Sequence, residues 1–159
     1  MTNYWLIKSE PTSFSLDDLQ QQHISSWDGV RNYQARNFMR DQMRIGDQLF
    51  FYHSNCKLPG IVGLAEVVRE SYIDHTAFDP NSEHPDPSST PDNPRWFMVD
   101  VRFVAKFSEI ISLDELKTYS DLQNMTLLRK GNRLSVLPIQ PTEWSFIMSL
   151  VVLDSACAV

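Results

Sequence analysis

The sequence predicts an α+β domain built as a small mixed β-barrel flanked by short helices. Short strand-like apolar runs and helical patterns follow one another in no simple alternation, and the strands lie far apart along the chain. The 159 residues, 42% hydrophobic and 11% aromatic, suffice for one full core, so a single domain over residues 1–159 is expected. No internal repeat or coiled-coil heptad competes with this reading.

Each element has a local cause. Tyr4-Trp5-Leu6-Ile7-Lys8 is rich in aromatic and β-branched residues and is stopped at Glu10-Pro11, which predicts a buried strand. Ser15 offers an N-cap, with Asp17 and Asp18 in the first turn, to a helix on which Leu16, Leu19 and His23 share a face. After a loop holding Trp27 and Gly29, the residues Ala35, Phe38, Met39 and Met43 recur at helical spacing from about Arg31. Ile45-Gly46-Asp47 breaks that helix, and Gln48 to His53 forms a second strand. Gly60 to Arg69 forms a third, in which Gly60 and Gly63 mark a bulge or a close backbone approach. Residues 79–94 contain five of the nine prolines and four carboxylates with no Lys or Arg, which predicts a mobile, solvated loop. Arg95 to Phe107 alternates Phe97, Val99, Val101 and Phe103 against Met98, Asp100 and Arg102, giving one buried face. Ser112-Leu113-Asp114-Glu115 has the capping-box signature of a short helix, and Pro141-Thr142-Glu143 opens the last one, through Trp144, Ile147, Met148 and Leu150.

Composition excludes several classes of function. No apolar run approaches the ~18–20 residues that cross a bilayer, and the N-terminus lacks the features of a signal peptide. An intracellular, soluble chain with no membrane partner is expected, cytoplasmic if bacterial. Cys56 and Cys157 stand far apart, so both are expected as free thiols. There is neither a P-loop nor a dinucleotide-binding glycine fingerprint, and no cofactor is expected. Asp74 and His75, with Glu83 and His84, present mixed metal donors, but they run into the Pro-rich loop and lack His-x-x-x-His spacing, so no metal is expected. Ser54 beside His53 makes no triad, because adjacent strand residues point to opposite faces.

The net charge of −6 argues against tight, sequence-blind coating of a duplex. Locally the balance differs: Arg31, Arg36, Arg40 and Arg44 outnumber Asp28 and Asp41 across residues 27–44. That favours recognition of one nucleotide or base. The stretch from Ser26 to Asn37 carries an indole, two guanidiniums, amides and a phenol in twelve residues. A pulled-out base requires an aromatic sandwich and hydrogen bonds to its edge. Trp27 and Tyr33 are candidates for the faces, Asn32, Asn37, His53 and Ser54 for the edge, and Arg31 and Arg36 for phosphate. Lys8 and Glu10 either line the same opening or pair with each other. The competing reading makes Trp27 a core anchor and the arginines a solvated face. Trp5 and Trp144 lie within apolar runs and are assigned to the core, whereas Trp96 fits core or rim equally.

Four segments, Trp5 to Pro11, Trp27 to Asn37, Phe51 to Ser54 and Arg133-Leu134-Ser135-Val136-x-Pro138, together resemble the EVE domain family of the PUA-like superfamily, which includes the thymocyte nuclear protein group. The resemblance spans about residues 3–150. It implies a β-barrel with surrounding helices and a pocket that accepts a flipped or unpaired modified base, with methylated or hydroxymethylated cytosine first among the candidates. The expected function is therefore a non-catalytic reader of a modified nucleobase in DNA or RNA. The alternatives are a small nuclease acting through His53 with nearby carboxylates, and a sensor of free nucleosides.

Overall fold

The computed structural model describes residues 2–153; Cys157 lies outside them. Six strands, β1 (Tyr4–Ser9), β2 (Ile24–Trp27), β3 (Gln48–His53), β4 (Gly60–Ile73), β5 (Phe97–Ser112) and β6 (Val136–Ile139), form one sheet in the order β2-β5-β4-β3-β1-β6. β1 runs parallel to β3 and the other neighbouring pairs are antiparallel. β2 and β6 are the two edges of that order, so the sheet is open where a closed barrel was expected. Each edge strand has four residues and pairs on one side.

Capping chemistry sets the helices. Ser15 and Asp18 form a capping box at the start of α1 (Leu16–Gln22), each side chain accepting the other's backbone N–H at 3.1 and 2.9 Å. Asn32 caps α2 (Tyr33–Asn37) by accepting the Ala35 N–H at 2.9 Å, and a π-helical turn, Phe38–Gln42, continues from it. The turn keeps Met39 and Met43 buried, the positions that the helical spacing picked out. α3 (Leu113–Leu116) and α4 (Pro141–Leu150) begin at the Ser112 cap and at Pro141, as expected.

Two glycines allow the central strands to touch. A Cβ on Gly60 would lie 2.4 Å from the Ile111 carbonyl oxygen, and one on Gly63 would lie 2.4 Å from both the Ala105 carbonyl oxygen and Leu16 Cδ2. The β4–β5 register shifts between Ile61 and Gly63, which places the expected bulge there.

One apolar cluster fills the interior. Trp5 is buried, and Trp144 stacks on Phe50 (centroids 4.0 Å apart) and Tyr4 (4.6 Å). Asp47 is buried beneath β1. It accepts the Trp5 indole N–H at 3.0 Å, the Asn3 N–H at 3.1 Å and the Arg44 N–H at 3.0 Å, joining the chain ahead of β1 to the end of the π turn. Replacing it removes the partner of three donors at once. Asp47→Ala is expected to lower the unfolding free energy by about 2–4 kcal/mol, read from urea titrations with unchanged m-value.

Candidate functional site

A cleft of about 530 Å³ lies between the two edges that a barrel would have joined. β2 contributes Ser25, Ser26 and Trp27, the end of β1 contributes Lys8 and Ser9, and Ser135 approaches from the start of β6. Its size falls within the range of small-molecule sites. Trp27, 7% exposed, walls it, with its ring set nearly perpendicular to Phe51 (5.5 Å, 84°) and Phe14 (6.1 Å, 75°). The chain then turns at Gly29, whose φ of +78° suits glycine and whose N–H donates to the Asp74 carboxylate at 2.9 Å. A Cβ there would also lie 2.9 Å from the His84 imidazole. Gly29 is therefore required twice.

The polar lining is mixed in sign. Burial raises the Asp28 pKa, with neighbouring His84 opposing the rise, and burial lowers the Lys8 pKa. The Lys8 ammonium lies 5.9 Å from the Tyr52 ring centroid, and Glu10 accepts from the Asn55 amide at 2.9 Å, so these two residues do not pair with each other. His84 Nε2 is buried without a hydrogen-bond partner, 3.5 Å from Asp28 Oδ1. An aromatic wall beside a carboxylate acceptor, with an imidazole ring next to it, suits a flat ligand that carries a donor along one edge.

Asp74 fixes the rim of this cleft. Its buried carboxylate accepts from Gly29 N–H, Arg31 Nη1 (3.0 Å), Thr76 N–H (3.0 Å) and the Thr76 hydroxyl. Burial alone would raise its pKa; the hydrogen bonds from Thr76, Gly29 and Arg31 outweigh that and hold it below the ordinary aspartate value. Arg31 also donates to the His84 carbonyl through Nε (3.2 Å) and Nη2 (2.7 Å), and to the Val30 carbonyl (3.1 Å). The Asp74 oxygen that a cation would seek is thus already paired with the Arg31 guanidinium. Among the described residues, no three His, Cys, Asp or Glu side chains are grouped to hold a metal ion.

Of the residues that the sequence singled out, Trp27, Lys8 and Glu10 line the cleft. The others do not converge there. Asn32 caps α2, and Arg36 donates to Asn37 Oδ1 (3.1 and 2.8 Å) and to the Arg95 carbonyl (2.8 Å). Tyr33, 51% exposed, stacks on Trp96 (4.8 Å, 20°), which settles Trp96 as a buried ring beneath an exposed one. His53 is separated from Trp27 by the Phe51 ring, which contacts both, and its Nε2 accepts the Leu16 N–H at 3.1 Å. Burial lowers the His53 pKa. Ser54 donates its backbone N–H to the Ser9 carbonyl at 3.0 Å.

The acidic loop is a correction too. Asp86 accepts the Trp96 indole N–H at 2.5 Å, the Ser82 hydroxyl donates to the Thr76 carbonyl at 2.6 Å, and Glu83 and His84 reach the cleft. Proline content describes the loop's backbone but not these distant partners. Asp28 belongs to the cleft and lies within the Trp27–Asn37 motif, where its residue type is a signal; for His84 no local signal marks the contact with Gly29.

The EVE domain profile matches residues 3–150. The chain belongs to the EVE domain family. Thymocyte nuclear protein 1 of Rattus norvegicus is 53% identical over an alignment covering 94% of this chain and 74% of that protein. A hypothetical protein from Leishmania major has the same fold, with TM-score 0.91, 51% identity and 94% of each chain covered. The human THYN1 protein, whose crystal structure is in complex with 5-methylcytosine containing DNA, superposes with TM-score 0.89 at 48% identity, covering 94% of this chain and 97% of that one. The EVE domain seen here has no helix, among the described residues, long and apolar enough to cross a membrane.

The depressed Asp74 pKa carries a sign. Its stabilising contribution is present above the ordinary aspartate pKa of about 3.9 and is lost as pH falls through the lowered folded value. Asp74→Asn is expected to destabilise the EVE domain by about 2–3 kcal/mol at neutral pH. The gap between wild type and variant should narrow as pH is taken from 5 toward 2, measured by chemical denaturation at each pH.

Proposed function

We propose that this EVE domain is a non-catalytic reader of 5-methylcytosine in DNA, holding the base in the Trp27 cleft. The cleft itself carries the reading: a ring wall formed by Trp27 with Asp28 and His84 set together at one edge. Taking a base out of the duplex costs a few kcal/mol of stacking and pairing, so a site must return an aromatic contact and edge hydrogen bonds. Cytosine presents an exocyclic amino donor that a carboxylate such as Asp28 accepts, and the His84 imidazole stands beside that carboxylate at the same edge. Human THYN1, with the same fold and 48% identity, was crystallised with DNA containing this base, which supports the choice of ligand.

The nuclease reading gains no support from the geometry. His53 already uses Nε2 to accept from the start of α1, and the Asp74 carboxylate is filled by Arg31, Gly29 and Thr76.

Titration of matched oligonucleotides with cytosine or 5-methylcytosine at one position tests the proposal. Burial of one methyl is worth about 0.8 kcal/mol, so the methylated strand is expected to bind roughly fourfold more tightly. Trp27→Ala should weaken binding by about 1–3 kcal/mol and His84→Ala by about 1–2 kcal/mol, each measured below the variant's own melting temperature. Equal affinity for the two oligonucleotides would overturn it.

A further inference from the structure

The arginines nearest the cleft are committed to the protein. Arg31 is held by Asp74 and the His84 carbonyl, Arg36 by Asn37 and the Arg95 carbonyl, and Arg40 by Asp41. Arg44 donates to the Met43 and Asp41 carbonyls, Arg102 pairs with Glu66, and Arg69 lies over the Tyr72 ring. The cleft itself holds Glu10, Asp28 and Glu83 against Lys8 and His84, a lining that disfavours a phosphate. A DNA strand that delivers a base to this cleft must therefore be held by cations elsewhere.

Three such cations lie within five residues of one another. Arg129, Lys130 and Arg133 are exposed, and none of them forms a salt bridge or a side-chain hydrogen bond among the described residues. Their loop is a built turn. Gly131 takes φ +79°, the Asn132 amide donates to the Thr126 carbonyl at 3.1 Å, and the Asn132 side-chain oxygen accepts the Leu134 N–H at 3.0 Å. Two residues past Arg133, Ser135 lines the cleft, and its carbonyl accepts the Lys8 N–H at 2.9 Å. The turn is thus tied both to the 3₁₀ segment Thr126–Leu128 and to the cleft wall.

We infer that the turn Arg129–Arg133 is the phosphate-binding surface of this EVE domain, gripping the DNA backbone beside the nucleotide whose base enters the cleft. The inference rests on the proposed function for the base but stands on its own for the backbone. Lys57 and Lys117, also exposed and without a side-chain partner among the described residues, stand singly in the sequence, whereas the three cations clustered on the turn leading to Ser135 together supply sequence-independent attraction in a chain of net charge −6. It also separates two tasks: the turn sets affinity and register, and the cleft reads the base.

The test compares wild type, the triple variant Arg129→Gln/Lys130→Gln/Arg133→Gln, the single variant Lys130→Glu and the control Arg40→Gln. Each is titrated with methylated and unmethylated duplex oligonucleotides from about 50 to 200 mM salt, and with free 5-methyl-2′-deoxycytidine. Each released phosphate contact changes the slope of log K against log salt by about 0.9, so the triple variant is expected to lose about 2 to 3 units for both duplexes. Lys130→Glu should lose at least about one unit, while Arg40→Gln keeps the wild-type slope and no variant changes nucleoside binding. Overlapping melting curves establish that the surface changes leave the fold intact. An unchanged slope in the triple variant, or an equal loss in Arg40→Gln, would overturn the inference. Failure of wild type to prefer the methylated duplex would instead overturn the reading of the base and leave the slope to judge the turn.

Discussion

The buried carboxylate of Asp74 is the constraint on which the cleft depends. A charge without water is costly unless donors surround it, and Asp74 obtains them from Gly29, Arg31 and Thr76. Those donors lie on the segment after β2 and on the turn after β4, stretches more than forty residues apart in sequence. Arg31 completes the arrangement by donating to the His84 carbonyl, which draws the acidic loop against Gly29. One carboxylate therefore fixes the Gly29 turn at the rim directly and, through Arg31, the His84 loop beside it. The guanidinium that sequence assigns to phosphate acts here as the counter-charge of the scaffold.

The acidic loop is docked by contacts of the same kind. Prolines restrict its backbone, which lowers the entropy lost on docking, and its polar side chains find partners outside it. Asp86 receives the Trp96 indole N–H, and Ser89 receives the Arg95 N–H. Trp96 then supports the exposed Tyr33 ring, and the Arg31 guanidinium lies 5.4 Å from the Trp96 centroid. Loop, tryptophan and Arg31 form one packed unit behind the cleft, in which Asp86 is bonded to the scaffold while Asp79, Glu83 and Asp92 remain exposed.

What the sequence made legible was the chemistry acting within a few residues. The caps at Ser15 and Ser112 follow from hydrogen bonds spanning three residues, and the strands β1, β3 and β5 follow from composition and alternation, whereas Asn32, expected at the edge of a base, turns out to be a cap of the same kind. β2 escaped notice because Ser25-Ser26 carries turn-forming side chains and only its pairing with β5 makes it a strand. Closure into a barrel is likewise a long-range property, and no local pattern reports that β2 and β6 stay apart. In the site, Trp27, Lys8 and Glu10 were readable from residue type and position. Arg31 and Arg36 were not, because the partners that draw them into the scaffold, Asp74, the His84 carbonyl and the Arg95 carbonyl, stand 43 to 59 residues away.

The open sheet gives the geometry its use. Had β2 paired with β6, the backbone donors and acceptors of both edges would have satisfied each other and the space between them would have closed. Left apart, they frame the cleft between β2 on one side and β1 with Ser135 on the other. The energetics of a base reader explain why such a cleft needs help from outside it. A methyl group is worth about 0.8 kcal/mol on burial, while extrusion of the base costs a few kcal/mol, so the methyl can decide between two bases but cannot drive the extrusion. In the proposed reading the driving force comes from the Trp27 ring, from the polar edge at Asp28 and His84, and from the backbone. In a chain of net charge −6 whose cleft-side arginines are already engaged, the inferred backbone contribution falls to the cations clustered at Arg129, Lys130 and Arg133.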